Sequence, residues 1–201
     1  MNTRKLVLLG APIAAAGLLA AACDASSPAQ PAAGADTSPS ALSAEANSAA
    51  AGDIPDNQVF LTFTNAAAGY SMQYPEGWAQ QGSGSDVTFR DKNNVVHVVV
   101  ENGGPPAVSD VTAQLDKLKS QTPSLTFEAP TPIELNGEGA VKVVYSTESE
   151  PNAVTGKSVT LVVDRYYVAQ NGKVAVVDLA TPEGVDNVDA YKQMIESFRW
   201  K

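Results

Sequence analysis

Hydrophobic and polar positions alternate with a period of two through most of the chain after residue 57, and before it they do not. Val59-Phe60-Leu61-Thr62-Phe63 and Tyr70-Ser71-Met72-Gln73-Tyr74 predict two short strands, the second stopped by Pro75. Asp86-Val87-Thr88-Phe89-Arg90 and Val95–Glu101 predict a hairpin across Asp91-Lys92-Asn93-Asn94. Leu125–Leu135, Ala140–Thr147, Ser158–Val168 and Val174–Leu179 predict further strands. Asn136-Gly137 and Asn171-Gly172 supply the positive φ angles that tight hairpin turns need. The second turn is the stronger signal, joining a strand with Val159, Leu161 and Val163 on one face to the apolar run after Lys173.

Two stretches switch to the helical period. Ser109 is placed to cap a segment in which Val111, Leu115 and Leu118 recur at helical spacing, ended by Pro123. Val188, Tyr191, Ile195 and Phe198 form a second stripe, with Asp186 and Asp189 at its start and Arg199 at its end, an order of charge that suits the helix dipole. A strand meander with one helix in the middle and one at the end predicts an α+β fold, a central antiparallel β-sheet flanked by helices.

The first 57 residues obey a different logic. Arg4 and Lys5 precede the apolar run Leu6–Ala22, which is broken by Pro12 and falls short of the about 20 strongly apolar residues of a spanning helix. A charged start, a short apolar core and small residues at its end make residues 1–22 a signal peptide. The run closes with Leu19-Ala20-Ala21-Ala22-Cys23, which resembles a bacterial lipobox, although Ala20 stands where Leu, Val or Ile is usual. That resemblance implies cleavage before Cys23 and thioether linkage of its thiol to diacylglycerol, with fatty chains such as palmitate holding the protein on the extracytoplasmic face of a membrane. The other reading is an ordinary secreted protein cut after Ala22. Asp24 also resembles an inner-membrane retention signal of some two-membrane bacteria.

From Asp24 to about Asn57 the chain has no basic and no aromatic residue, and Leu42 and Ile54 are its only large apolar side chains. So little apolar surface cannot offset the entropy of ordering, which makes residues 23–57 a lipidated cysteine followed by a disordered stalk with a mean reach of about 30 Å. All 6 tyrosines, 5 phenylalanines and 2 tryptophans fall in residues 58–201, so the core must form there, in one domain of about 140 residues. Cys23 is the only cysteine, so no intramolecular disulfide supports that domain.

Charge narrows the partners. Loss of Arg4 and Lys5 with the leader takes the net charge from −9 to −11, which argues against nucleic acid and anionic headgroups and permits a cationic partner. His97 is the only histidine and shares a strand face with Val95 and Val99. A zinc site or a catalytic triad would need more than it can supply. Glu148 and Glu150 beside Asn152, and Glu183 with Asp186 and Asp189, are the local oxygen clusters, and neither has the spacing of a calcium loop. No Gly-x-Ser-x-Gly elbow exists, and Gly82-Ser83-Gly84 and Gly103-Gly104-Pro105-Pro106 read as flexible connections rather than phosphate loops. No catalytic residue, metal ligand or cofactor is therefore assigned.

Gly69-Tyr70-Ser71-Met72-Gln73-Tyr74-Pro75-Glu76-Gly77-Trp78 resembles the opening of PsbP-like domains, where an aromatic strand ends in Tyr-Pro-x-Gly-Trp before a hairpin. The middle helix, the later meander and the closing Ser197-Phe198-Arg199-Trp200 extend the resemblance over about Gln58–Lys201. It implies an α/β/α sandwich around an antiparallel sheet. The founding members are extrinsic, non-catalytic subunits of the oxygen-evolving photosystem that help retain calcium and chloride, and many bacterial relatives are lipoproteins of unassigned role. The basic docking surface and the histidines of the photosystem members have no counterpart here, which leaves an accessory role in some other membrane assembly. The expectation is a lipid-anchored, non-enzymatic binding factor with a protein partner. The alternative is a carrier holding a small apolar or cationic ligand, weakly bound calcium included, between sheet and helix. A deep pocket lined by Tyr166, Tyr167 or Trp200 would mark the carrier, and a flat exposed apolar patch the partner-binding module.

Overall fold

The computed structural model describes Ser43, residues 51–152 and residues 154–201, so the signal peptide, Cys23 and most of the expected stalk lie outside the described residues. The elements run β1 (Phe60–Asn65), β2 (Tyr70–Pro75), β3 (Ala79–Ser83), β4 (Asp86–Asp91), β5 (Asn94–Asn102), α1 (Val108–Gln121), β6 (Thr126–Phe127), β7 (Thr131–Leu135), β8 (Glu138–Glu148), β9 (Thr160–Gln170), β10 (Lys173–Pro182), α2 (Val188–Glu196) and β11 (Arg199–Trp200). One sheet has the order β1-β2-β11; the larger has the order β3-β4-β5-β10-β9-β8-β6, with β7 pairing on β8 beside β6. Every pairing is antiparallel.

Both Asn-Gly turns form as expected. Asn136 and Gly137 have φ of 56° and 83°, Asn171 and Gly172 of 51° and 76°, the left-handed pair that matches the twist of flanking strands. Three details differ from the sequence reading. The strand expected over Leu125–Leu135 is two, because Pro130 and Pro132 offer no N–H to a continuous ladder. Helix α1 starts two residues earlier than the Ser109 cap predicts, with Ala107 as its N-cap and the Asp110 carboxylate accepting a hydrogen bond from the Ala107 N–H at 3.4 Å. The third is β3, an exposed edge strand with no apolar alternation to announce it. Gly82, with φ of 78°, closes its hairpin with β4, and a Cβ there would collide with the carbonyl oxygen of Asp86. What reads as a flexible Gly-Ser-Gly connection is a tight turn.

The pleat sends neighbouring residues to opposite faces of the large sheet, and the two tyrosines at the centre of β9 mark the two cores. Tyr167 packs with Val141, Val143 and Val174 against Val111 and Leu115 of α1. Tyr166 packs with Val168, Val177 and Leu179 against Tyr191, Met194 and Ile195 of α2 and against Tyr70 and Met72 of β2. The large sheet therefore lies between α1 on one side and a mixed layer, α2 plus the three-stranded sheet, on the other. The helix-flanked sandwich is met only in part. Aromatic side chains explain the mixed layer: the rings of Phe63 and Tyr74 lie 5.2 and 4.4 Å from that of Phe89 in β4, which fastens the small sheet face-on rather than edge-on.

Ordered packing also reaches N-terminal to Gln58. Gly52 and Ile54 are buried, and a polar knot holds them. Asn187 Oδ1 accepts from the Ile54 N–H at 2.8 Å, while Asn187 Nδ2 and Asn94 Nδ2 donate to the Gly52 carbonyl at 3.2 and 2.5 Å. Thr181 Oγ1 and Asn94 Oδ1 accept the remaining Asn187 contacts at 2.8 and 3.1 Å. A buried amide side chain so fully partnered satisfies the backbone of a segment that has no strand to join.

Candidate functional site

Helix α2 is fastened to the large sheet at its start and to the small sheet beyond its end. At its start the Asn187 knot ties it to β10 through Thr181. In its first turn the Tyr191 hydroxyl donates to the Ala180 carbonyl at 2.6 Å. Beyond its end Phe198 is buried and stacked on Tyr70, with ring centroids 5.4 Å apart. Alongside Tyr191 and Ile195, a cavity of about 560 Å³ opens between the helix, Leu135 of β7 and the strands β8 to β10. Its volume lies within the ordinary range of small-molecule sites. Val162, Leu179, Pro182 and Ile195 give it apolar walls, and Val188, at 71% exposure, sits at its rim. Of the stripe expected on α2, Tyr191, Ile195 and Phe198 are buried, Met194 joins them, and Val188 alone is exposed.

Charged side chains interrupt the walls, and the closest-knit group of them is on β8 and β9. Lys142 Nζ lies 2.8 Å from Asp164 Oδ2 and 5.3 Å from the ring centroid of Tyr166, whose hydroxyl donates to the same Asp164 oxygen at 3.4 Å. Burial works against the Lys142 ammonium, but the hydrogen bond to Asp164 and the neighbouring charge hold its pKa above the ordinary value. The Tyr166 hydroxyl is pushed up by burial and by the Asp164 charge. The site thus presents a charged pair and an aromatic face at one end of an apolar groove.

The opposite face of the sheet carries a second constellation. Arg165 donates to Asp178 through Nε at 2.6 Å and Nη2 at 2.7 Å, and the Tyr145 hydroxyl lies 3.3 Å from both partners. His97 stands opposite Asp178 in the β5–β10 register and contacts Asp86 at 2.9 Å. His97, Arg165 and Asp178, together with Tyr167 and Gln114 of α1, border a depression of about 390 Å³. The Arg165–Asp178 pair is satisfied within itself, so it reads as a structural clamp under α1.

The residues singled out in the sequence scatter. Tyr166 lines the cavity, Tyr167 the opposite depression, and Trp200 neither. Glu148 accepts from the Thr160 hydroxyl at 3.2 Å, and Asn152 Oδ1 caps the N–H groups of Val154 and Thr155 at 3.0 Å, both ordinary loop roles. Asp186 Oδ1 accepts from the Val188 N–H at 3.3 Å, at the start of α2. Among the described residues, no group of three or more His, Cys, Asp or Glu is arranged to hold a metal ion. Cys23 lies outside the described residues. Lys142, Asp164 and Asn187 were missed. Lys142 and Asp164 do leave a trace in the sequence, as charged residues at the same strand parity as Ala140 and Tyr166.

Four tyrosines, Tyr70, Tyr145, Tyr166 and Tyr191, have hydroxyls pushed above their ordinary value, each first by burial. Each binds its proton more tightly folded than unfolded, so its contribution is complete below about pH 10 and is lost as pH rises beyond the unfolded value. Lys142 acts in the same direction. The urea midpoint is expected to stay level to about pH 9.5 and then to fall, with the phenolate absorbance of these four tyrosines appearing only as the chain unfolds. Ionisation of all six tyrosines ahead of unfolding would contradict these buried hydroxyls.

No protein-family profile matches the chain, and no curated protein matches it. Solved structures do. The solution structure of cyanobacterial PsbP from Synechocystis sp. PCC 6803 is similar over 75% of this chain and 98% of that one, at 16% identity and a TM-score of 0.47. The Ran-binding protein Mog1p of Saccharomyces cerevisiae is similar over 72% of this chain and 96% of its own, at 10% identity and a TM-score of 0.48. LpqN of Mycobacterium tuberculosis, involved in cell envelope biogenesis, is similar over 71% of this chain and 91% of its own, at 14% identity and a TM-score of 0.41. These are likenesses of outline at low identity, and what those proteins do stays with them. A PsbP is thus among the similar structures, and the segment from Gly69 to Trp78 resembles the opening of PsbP-like domains.

Proposed function

We propose that this is a lipid-anchored, extracytoplasmic binding domain without catalytic activity, which carries a small, largely apolar molecule between its sheet and its C-terminal helix. The cavity of about 560 Å³ beside α2, apolar-walled and bordered by Tyr166, carries this reading. The absence of an enzyme is argued from the sequence: its single histidine, His97, is engaged with Asp86. The anchor is argued from Cys23 and the leader before it, and among the described residues no helix is long and apolar enough to cross a membrane.

Native mass spectrometry of the protein released gently from its own membranes tests the carrier. A bound small molecule is expected, and it should be lost in Val188→Trp, where a large side chain at an exposed rim position obstructs the cavity without disturbing the core. A protein with no bound mass, or one whose bound mass survives Val188→Trp, would count against the cavity. In the same spectra the wild type should carry the mass of acyl chains and Cys23→Ser should not.

An accessory role in a membrane assembly is the second reading. Val59, just before the edge strand β1, and Leu61 within it stand exposed, where another chain could pack. A crosslinking pull-down from intact membranes, with Cys23→Ser as control, would return a stoichiometric protein partner if this reading holds.

A further inference from the structure

We infer that the carried molecule is a single-chain amphipath with a cationic head, seated against Asp164 and over the face of Tyr166; the inference rests on the cavity beside α2 being the binding site. The seat already holds a cation that the chain itself supplies. Lys142 Nζ lies 2.8 Å from Asp164 Oδ2 and 5.3 Å from the Tyr166 centroid, inside the distance at which an ammonium group is drawn to an aromatic face. Its side chain is 31% exposed and has a long flexible stem, so it can swing its charge into water when another cation arrives. Both contacts to Asp164 fall on Oδ2, which leaves Oδ1 with its lone pairs for a second donor.

The charge count on the walls selects the sign. Three carboxylates border the cavity, those of Glu134, Asp164 and Glu196, against two ammonium groups, those of Lys142 and Lys192. Lys142 pairs with Asp164, and Lys192 with Glu196 at 4.0 Å, while among the described residues Glu134 has no ion pair. One positive charge on the ligand brings the walls to neutrality. An anionic head would add to the excess, and an uncharged head would gain nothing from it. The net charge of −9 over the whole chain draws cations toward the domain in the same sense. The remaining wall, Leu135, Val162, Leu179, Pro182 and Ile195, suits a hydrocarbon chain.

The test uses probes that share a chain and differ in head charge: dodecyltrimethylammonium, dodecyl maltoside and dodecyl sulfate, each below micelle formation at low salt, titrated into the whole soluble chain by calorimetry with circular dichroism to follow folding. The cationic probe is expected to bind about tenfold more tightly than the maltoside, with the sulfate weakest. Raising the salt concentration should shrink that advantage. Asp164→Asn should abolish it, and Lys142→Met, which vacates the seat, should raise affinity for the cation several-fold. A maltoside that binds as tightly as the cation overturns the inference while leaving the carrier standing. A cationic advantage that persists in folded Asp164→Asn places the head elsewhere and also overturns it. If none of the three probes binds the wild type, the cavity is not a ligand site and both readings fall together. The comparison within the wild type stands even if a variant fails to fold.

Discussion

Asp178→Ala is expected to lower stability by about 3–5 kcal/mol, the range for removing one partner of a buried ion pair. The side chains of Arg165 and Asp178 are only 20% and 14% exposed, and their two hydrogen bonds at 2.6 and 2.7 Å form the fork that guanidinium and carboxylate make best. Burial alone would disfavour the Arg165 charge, but the hydrogen bonds and charge of Asp178 raise its pKa instead. With the carboxylate gone, the cation stays charged in a mostly buried place, with the Tyr145 hydroxyl at 3.3 Å and little water to replace the lost partner. The double replacement Arg165→Met with Asp178→Leu is expected to cost far less, because no charge is then left unpaired. Urea unfolding of the two variants separates the outcomes. Equal losses would mean that packing, not the orphaned charge, sets the penalty.

Phe198→Ala is expected to cost a further about 3–5 kcal/mol in a separate region of the core, with a fall in melting temperature on the order of 10 °C. Phe198 is 1% exposed, lies nearly parallel to Tyr70, and meets Trp200 edge-on at 5.4 Å. It sits at the junction of α2, the small sheet and the large sheet, so its removal opens a cavity that no single element can collapse to fill. The near-ultraviolet circular dichroism of Tyr70 and Trp200 should fade in the same variant. A drop of only a degree or two would mean that α2 and β11 are held mainly by the Tyr191 and Asn187 hydrogen bonds.

How far the sequence revealed the structure depends on which force set each feature. Strands β4, β5, β8, β9 and β10 were legible because one residue in two enters a core, and the Asn-Gly turns because only certain residues accept positive φ. Strand β3 was not, since five exposed residues held by backbone pairing leave no periodic trace. The mixed outer layer was not legible either: Phe63 and Tyr74 announce that they will be buried, but not that they will stack on Phe89. At the candidate site, Tyr166 was visible as an aromatic residue in a strand. Its partners were not, because the approach of Lys142 to Asp164 depends on the register between β8 and β9, with Lys142 opposite Tyr166 and Val144 opposite Asp164. Asn187 was least visible of all, a single amide whose importance comes from a segment more than 130 positions away.

That segment also determines how the domain bears load. A pull from the N-terminal side arrives first at Gly52 and Ile54, where side-chain amides of Asn94 and Asn187, rather than a strand ladder, resist it. Such a knot yields as a unit, and residues 52–59 then pay out about 25 Å of extended chain before β1 is strained. Beyond that, force along β1 opens its pairing with β2 from the end near Phe60, one residue pair after another, since among the described residues β1 has no neighbour on its outer side. The Asn187 knot is thus a mechanical fuse in series with the core. It shares Asn187 with the cavity beside α2, so tension on the chain and occupancy of the cavity meet at one residue.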